Sequence, residues 1–478
     1  MAQRPNKIQR PNKKKPLAMI EELAGIVKVA PFITMRRQAG RLFAGLDGQG
    51  DVFISDEHMA RWSAAVDELW QADPDLRATL PRSKVEDAVV DLVRVAHESG
   101  RVLQVTDIDQ ALASLLALPV HDWEIMRPLY GAVIMKPRYR PWLRFPWRTP
   151  ATHGRLVTPK QRRRLGVRLR RTIHNVRPLQ FGPFTIYDPV LHVPLIVAAY
   201  PNCTPADVEQ KLGRFVDLGA IISVRVSARQ PVRARELADA HFQRFESVLR
   251  YMLAQADPLH DVSIFGSDPS TILDYLAIAP AYPRPLMGTH VVGRRELVDL
   301  SDPFFVRSDW GYDRVWRLVD DEYRGPIQGK DPLATRLLSA ITWIGKGVAD
   351  RDPARRFVQF MFALEALFTS GNKDVPITDR LAEYAAFVLE DTRSARLRVA
   401  KEVAGLYGKR SGIAHGRKHV VSNDDVVAGL HLVKKLTGAM LTKPPLASMT
   451  EMEQLEKWIK DQRYGGGQWV KRKSARRP

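Results

Sequence analysis

The stretch "PARRFVQFMFALEALFTSG", Pro353 to Gly371, decides how the C-terminal part of this chain folds. The run begins at Pro353, and Ser370-Gly371 closes it. Between them apolar residues fall on nearly every face, the pattern of a helix that is covered all round rather than along one stripe. Such a helix needs neighbours, and the flanking sequence supplies them. "PLATRLLSAITWIGKGVAD" sets Leu333, Leu337, Leu338, Ile341 and Ile344 at helical spacing, and "ITDRLAEYAAFVLED" and "RSARLRVAKEVAGLYGK" give two further helices. In the last of these Leu397, Ala400, Val403, Ala404 and Tyr407 form the apolar side. "SNDDVVAGLHLVKKLTGAML" opens with Ser422 as N-cap and Asp425 three residues on, a variant of the capping box. Five helices joined by short loops predict a compact bundle over residues 331–442.

The 478 residues exceed what one core holds, about 250–300 residues, so the chain reads as multidomain and mainly α. Residues 1–16 repeat "RPNK" without apolar periodicity and predict a disordered basic arm. Residues 17–122 read as a helical N-terminal region: "SDEHMARWSAAVDELWQ" offers Ser55 as N-cap, and "KVEDAVVDLVRVAHESG" stops at Gly100. Residues 123–330 change to alternating prolines, aromatics and β-branched runs, then to the strand "AIISVRVSA" and the helix "ELADAHFQRFESVLRYMLAQA". This order predicts a mixed α/β central domain. Within it "FGPFTIYDPVLHVPLIVAAYP" reads as strands and loops, and 281–332 as an irregular connection with room for short helices. Residues 443–478 hold one short helix and a basic tail.

Lys and Arg number 73 against 53 Asp and Glu, a formal charge of +20. From Ile125 to Tyr187 fifteen basic residues occur and no acidic one, which points to a polyanionic partner. Arg138, Arg140 and Arg144 alternate there with Tyr139, Trp142 and Phe145, a composition suited to phosphate contact and base stacking. Arg162, Arg163, Arg164, Arg168, Arg170 and Arg171 follow as a block. The competing readings are a solvated helix face, an anionic membrane surface or an acidic protein. The single Cys203 excludes an internal disulfide and thiolate zinc sites and suits a reducing compartment. No apolar run approaches the roughly 18–20 residues of a membrane span, and no signal-peptide core follows the N-terminus. The expectation is a cytoplasmic protein without membrane contact. "EQK" at Glu209–Lys211 follows a Thr204-Pro205 helix start rather than a strand, which sets aside a metal-dependent nuclease. No zinc or phosphate-loop pattern occurs, so no cofactor or metal is expected.

"LYGKRSGIAHGRKHV", Leu406 to Val420, places Arg410 and His415 five residues apart among glycines. Gly408 is placed to end the preceding helix. On an unbroken helix positions five apart diverge by about 140°, so the glycines give the backbone freedom for both side chains to meet one ligand. A histidine titrating near neutrality and a bidentate arginine suit a phosphodiester, with Ser411 adding a hydroxyl and Lys409 positive field. A plain glycine-rich turn is the alternative. Glu365 is either a structural carboxylate or a support for this motif, paired with Arg380 or Arg410. Arg380 otherwise reads as a helix-surface or ion-pairing residue.

The combination "FMFALEALFTSG…ITDRLAEYAAFVL…LYGKRSGIAHG" resembles the C-terminal domain of the ApeA-like branch of the HEPN superfamily over residues 333–442. Its R-x(4–6)-H motif corresponds to Arg410 and His415, with Ser411 in the polar position after the arginine. The resemblance implies a HEPN-like helical bundle that pairs head to head as a homodimer, so that two motifs line one cleft. It also implies a metal-independent endoribonuclease of the kind found in toxin–antitoxin, abortive-infection and other antiviral defence systems. RNA, tRNA or mRNA among it, would be the substrate, with a phage-derived trigger or an antitoxin as further partner. Tyr407, Lys409 and Glu365 fall in supporting positions. Some members bind without cutting, so a nucleic-acid-binding or sensor protein dimerising through its bundle is the second expectation. The first 330 residues carry no such resemblance.

Overall fold

A computed structural model gives the fold. It describes residues 28–30, 40–43, 51–129, 132–134, 177–188, 192–204, 206–208, 220–254, 275–278, 286–288, 298–350, 352–369, 376–414 and 421–464. The protein is mainly helical, and its described strands form three sheets. The chain divides into two compact units, one comprising Met1–Ile125, Arg225–Ala238 and Ala277–Pro283, the other Met126–Val224, Asp239–Leu276 and Arg284–Pro478.

In the first unit β1 (Lys28–Ala30), β2 (Gly40–Phe43) and β3 (Asp51–Ser55) form an antiparallel sheet in the order β1-β3-β2. These strands stand in the stretch whose sequence pattern reads as helical. Each is three to five residues long, too short for periodicity to separate it from a helix. Helices α1 (Asp56–Ala72), α2 (Pro74–Thr79), α3 (Arg82–Ser99) and α4 (Val105–Leu116) follow. Their apolar stripes meet in one core of Trp62, Val66, Leu69, Val89, Val93 and Ile108. The helix α1 starts directly after Ser55, and Gly100 ends α3 in the left-handed conformation, at the two places the sequence marks.

Six strands run in the order β10-β9-β4-β8-β7-β6: β4 (His121–Leu129), β6 (Leu179–Phe181), β7 (Phe184–Tyr187), β8 (Ala220–Ala228), β9 (Tyr275–Ile278) and β10 (Leu286–Gly288). Short β5 (Ala132–Val133) pairs in parallel with β11 (Val298–Asp299). The β6–β7 hairpin turns at Gly182, whose φ of +54° a side chain resists. Strand β7 is antiparallel to β8, with Ile186 opposite Ile222. Between β7 and β8, Val193–Ala199 is the helix α5, not a strand. A short apolar run is ambiguous by itself, and Pro194 fits the first turn of a helix. Phe184 packs against Phe242 and Phe245 of α6 (Pro231–Leu253), the Phe184–Phe245 centroids lying 4.9 Å apart. The connection read as irregular contains α7 (Tyr312–Arg324), whose Trp316 ring stands 5.4 Å from Phe245.

The bundle follows: α8 (Leu333–Ala349), α9 (Pro353–Phe368), α10 (Ile377–Leu389), α11 (Arg393–Ala414) and α12 (Asn423–Thr442), then α13 (Met452–Arg463). Asp352 caps α9 by accepting from the Arg355 amide at 2.8 Å. Phe357, Phe360, Met361, Leu364, Leu367 and Phe368 are buried, while Phe362 and Glu365 lie on its half-exposed stripe. Arg356 donates to the carbonyls of Gly347 and Val348 in the last turn of α8, where helical partners run out. A Cβ at Gly347 would come within 2.4 Å of the Phe360 ring, so α8 and α9 approach closely because that position is bare. Ser422 and Asp425 make the expected capping box on α12. Arg244 of α6 ties the bundle to α7, pairing with Glu322 at 2.7 Å and donating to the Leu338 carbonyl at 2.8 Å.

Two readings of α11 need correction. The helix runs through Gly408 and Gly412 to Ala414, so Gly408 does not end it. A glycine inside a helix costs about 1 kcal/mol relative to alanine, which packing against α9 and α10 outweighs. Leu397 is 63% exposed, and the buried side consists of Ala395, Val403, Leu406 and Tyr407. Arg380 is buried as well, at 6% exposure, and is no surface residue.

Removing the Phe360 ring opens a cavity at the α8–α9 crossing. Phe360→Ala is expected to lower the unfolding free energy by about 3–5 kcal/mol, read from urea denaturation at unchanged m. A loss under about 1 kcal/mol would mean that α9 is not the centre of the bundle.

Candidate functional site

Glu365 is the one acidic residue of α9, and its surroundings are apolar. The helix α11 satisfies it. The Tyr407 hydroxyl donates to Glu365 Oε1 at 2.9 Å, and Arg410 Nη2 lies 2.9 Å from the same oxygen. Tyr407 and Arg410 are three residues apart and therefore neighbours on one side of α11. Of the two partners open to Glu365 in the sequence, Arg410 is the one that pairs with it.

Aromatic rings hold the guanidinium in place. The Arg410 Cζ lies 5.2 Å from the Phe362 ring centre and 5.6 Å from that of Tyr407, both within cation–π range. Phe362 is one helical turn before Glu365, so a single stripe of α9 supplies both an anion and an aromatic face. Trp343 of α8 packs on Phe362 with centroids 5.0 Å apart. The side chains of Arg410 and Glu365 are each 21% exposed. At an effective dielectric of about 20 their direct attraction is roughly 4 kcal/mol, much of it offset by desolvation. Arg410 Nε is buried and has no acceptor among the described residues. The planar guanidinium therefore keeps donor capacity beyond Glu365, which suits it to a further anion.

Burial raises the Tyr407 phenol first, and its hydrogen bond to the Glu365 carboxylate raises it further, to about 12. Tyr407 is thus a neutral donor at physiological pH. Lys409, on another side of α11, is paired with Asp425 at 2.5 Å. That ammonium holds the Asp425 carboxyl below the usual carboxylate range, helped by the Ser422 cap. Ser411 is half-buried and directly follows Arg410 in the helix.

Of the residues singled out in the sequence, Arg410, Tyr407 and Glu365 come together. Lys409 instead ties α11 to the start of α12. His415 lies outside the described residues, as do Arg138, Arg140, Arg144, Arg162, Arg163, Arg164, Arg168, Arg170 and Arg171. "EQK" at 209–211 is outside them too. Phe362 is not among the residues the sequence singles out, and Asp425 stands there only as a helix cap. Phe362 was open to inference, since it stands three residues before Glu365 on one helix face. Asp425 was legible only as a cap, because nothing local announces the ion pair with Lys409. Among the described residues no helix is long and apolar enough to cross a membrane. No family model, curated protein or solved structure matches the chain.

Because the folded state holds the Tyr407 phenol above its unfolded value near 10, the linked stability is complete below about pH 10 and is lost as pH rises toward about 12. In a ring-labelled NMR titration, with the signal assigned by its loss in Tyr407→Phe, Tyr407 should stay neutral at pH 10.5, about half a unit above the ordinary tyrosine value. Glu365→Gln should bring its midpoint down. An unchanged midpoint in Glu365→Gln would contradict the hydrogen bond.

Proposed function

We propose that the protein is a metal-independent endoribonuclease of the HEPN type, acting in antiviral defence as a cytoplasmic homodimer. Residues 331–442 are on this reading the HEPN-like bundle, and the N-terminal region and mixed α/β central part are its sensor or substrate-binding portion. The observation that carries the reading is the Glu365–Arg410–Tyr407 cluster. The described residues of the three quoted segments lie on or directly after α9, on α10 and on α11, and two of the segments meet at this carboxylate.

The chemistry needs a proton acceptor, a donor to the leaving group and a stabiliser for a phosphorane. His415 takes the proton from the ribose 2′-OH, whose oxygen attacks the adjacent phosphorus. The bond from phosphorus to the 5′ oxygen breaks, and that oxygen takes the proton that His415 then carries, which returns the imidazole to its neutral form. A 2′,3′-cyclic phosphate and a 5′-OH end result. Arg410, oriented by Glu365 and Tyr407, stabilises the added charge on the phosphoryl oxygens, and Ser411 contributes a hydroxyl beside it. Head-to-head pairing would bring two copies of the motif to one cleft. The acid-free segment carrying Arg138 through Arg171 supplies the electrostatic hold on RNA.

The ion pair also favours a second reading. An arginine already engaged by a carboxylate serves structure without any substrate, and the bundle would then only dimerise while the basic segment binds nucleic acid. One assay separates the two. Wild type, Arg410→Ala and His415→Ala are incubated with total RNA in EDTA, and the ends of the fragments are analysed. Cutting that leaves cyclic phosphate ends and falls about 10²–10⁴-fold in each variant supports the enzyme. Intact RNA with wild type, or equal cutting by the variants, supports the binding protein.

A further inference from the structure

Away from the Arg410 cluster, on the second unit, lies a cleft of about 280 Å³ between α12 and the turn that precedes α7. Its walls combine aromatic rings with cations. Trp310, 45% exposed, stands on one side, with Tyr251 and Tyr312 buried beneath it. Lys434 and Lys435 of α12 line the cleft as well. Lys434 is half-buried and has no ion-pair partner among the described residues, and its burial disfavours the charged ammonium. An anion in the cleft would relieve that cost.

The setting is built rather than incidental. Gly311 is left-handed at φ +71°, and a Cβ there would come within 2.6 Å of Leu441, so the turn bearing Trp310 is seated directly on the end of α12. Arg314 fastens it, donating to the Leu441 carbonyl at 3.1 Å. Gly438, one turn after Lys434, lines the cleft, yet a Cβ there would meet nothing within 4 Å. A mid-helix glycine is a poorer helix former than alanine, and here no close packing calls for one. What the missing side chain leaves is the open space itself. Asp309, the acidic residue on the rim, is neutralised by Arg307, whose guanidinium also lies over the Trp310 ring.

We infer that this cleft binds one nucleotide unit of a single-stranded nucleic acid, the base stacking on Trp310 and the phosphate meeting Lys434 and Lys435. The volume admits a single ring system, and stacking on an exposed indole beside lysines is the chemistry by which strands are held without sequence preference. Lys434 lies nine residues beyond Asp425 on α12, about 13 Å along the axis and on the opposite face. None of the residues lining the cleft belongs to the cluster around Glu365. The cleft would hold the strand away from the bond being cut. The inference rests on the reading that nucleic acid is the ligand of this chain, though not on catalysis.

A labelled single-stranded oligodeoxyribonucleotide, which lacks the 2′-OH and is not cut, is titrated with the full chain and followed by anisotropy. Trp310→Ala should weaken binding about five- to a hundredfold, and Trp310→Phe should retain most of it. Gly438→Leu should weaken it likewise by filling the cleft, with the melting temperature kept. Heparin, a polyanion without bases, should bind Trp310→Ala as well as wild type. Displacement of the oligonucleotide by a nucleoside monophosphate would identify a free nucleotide as a sufficient occupant, and failure to displace it a strand; both agree with the inference. Wild-type affinity in Trp310→Ala and Gly438→Leu, or an equal loss toward heparin, would overturn it. A strand held in the cleft by a protein that never cuts RNA would remove the catalytic reading and leave this one standing.

Discussion

A carboxylate on an otherwise apolar helix face has to be satisfied, and the way Glu365 is satisfied organises the bundle around it. Two donors from α11 converge on a single oxygen. Each is constrained in turn: Tyr407 is buried, and Arg410 is held between the rings of Phe362 and Tyr407. Removing Glu365 would leave a cation with no counter-charge in the same surroundings, whereas removing the whole group would leave only packing. This asymmetry is general for partly buried ion pairs, whose loss by halves costs more than their presence contributes. The contact fixes the rotation of α11 about its own axis, because only one face can present residues 407 and 410 to α9.

That rotation determines what the rest of α11 does. With Tyr407 and Arg410 turned toward α9, Lys409 reaches the first turn of α12, where it joins a capping box and favours an ionised Asp425. Leu397 is turned outward. The helix α9 holds the other end of the arrangement. Its Arg356 closes the end of α8, and its Phe360 fills the space above Gly347. The arginine that the proposed chemistry requires is thus placed by packing established several residues away, and its guanidinium is aimed by a carboxylate rather than by a loop.

The sequence was legible where a signal was strong and local. An all-round apolar run closed by a proline and a glycine can be little else than a buried helix, and the Ser422–Asp425 box is a four-residue pattern with its own chemistry. Where competing forces act, local reading fell short. Gly408 looks like a helix stop because glycine is a poor helix former, but the cost is small beside the burial of Val403, Leu406 and Tyr407. Leu397 continues the apolar spacing and still faces outward, since periodicity shows which residues share a face and not whether a neighbour covers it. The run at Val193–Ala199 fits strand and helix alike. The pairing of Glu365 with Arg410 spans 45 positions, and the sequence narrowed it to two arginines before geometry chose.

The aim of the Arg410 guanidinium depends on whether Glu365 and Arg410 are energetically coupled. A double-mutant cycle in urea unfolding, built from Glu365→Gln, Arg410→Met and the double variant, measures that directly. A hydrogen-bonded pair of charges this sheltered predicts a coupling of about 1–3 kcal/mol, with the double variant less destabilised than the sum of the single ones. Additive effects within about 0.3 kcal/mol would contradict it, and would leave Arg410 without the support that aims it.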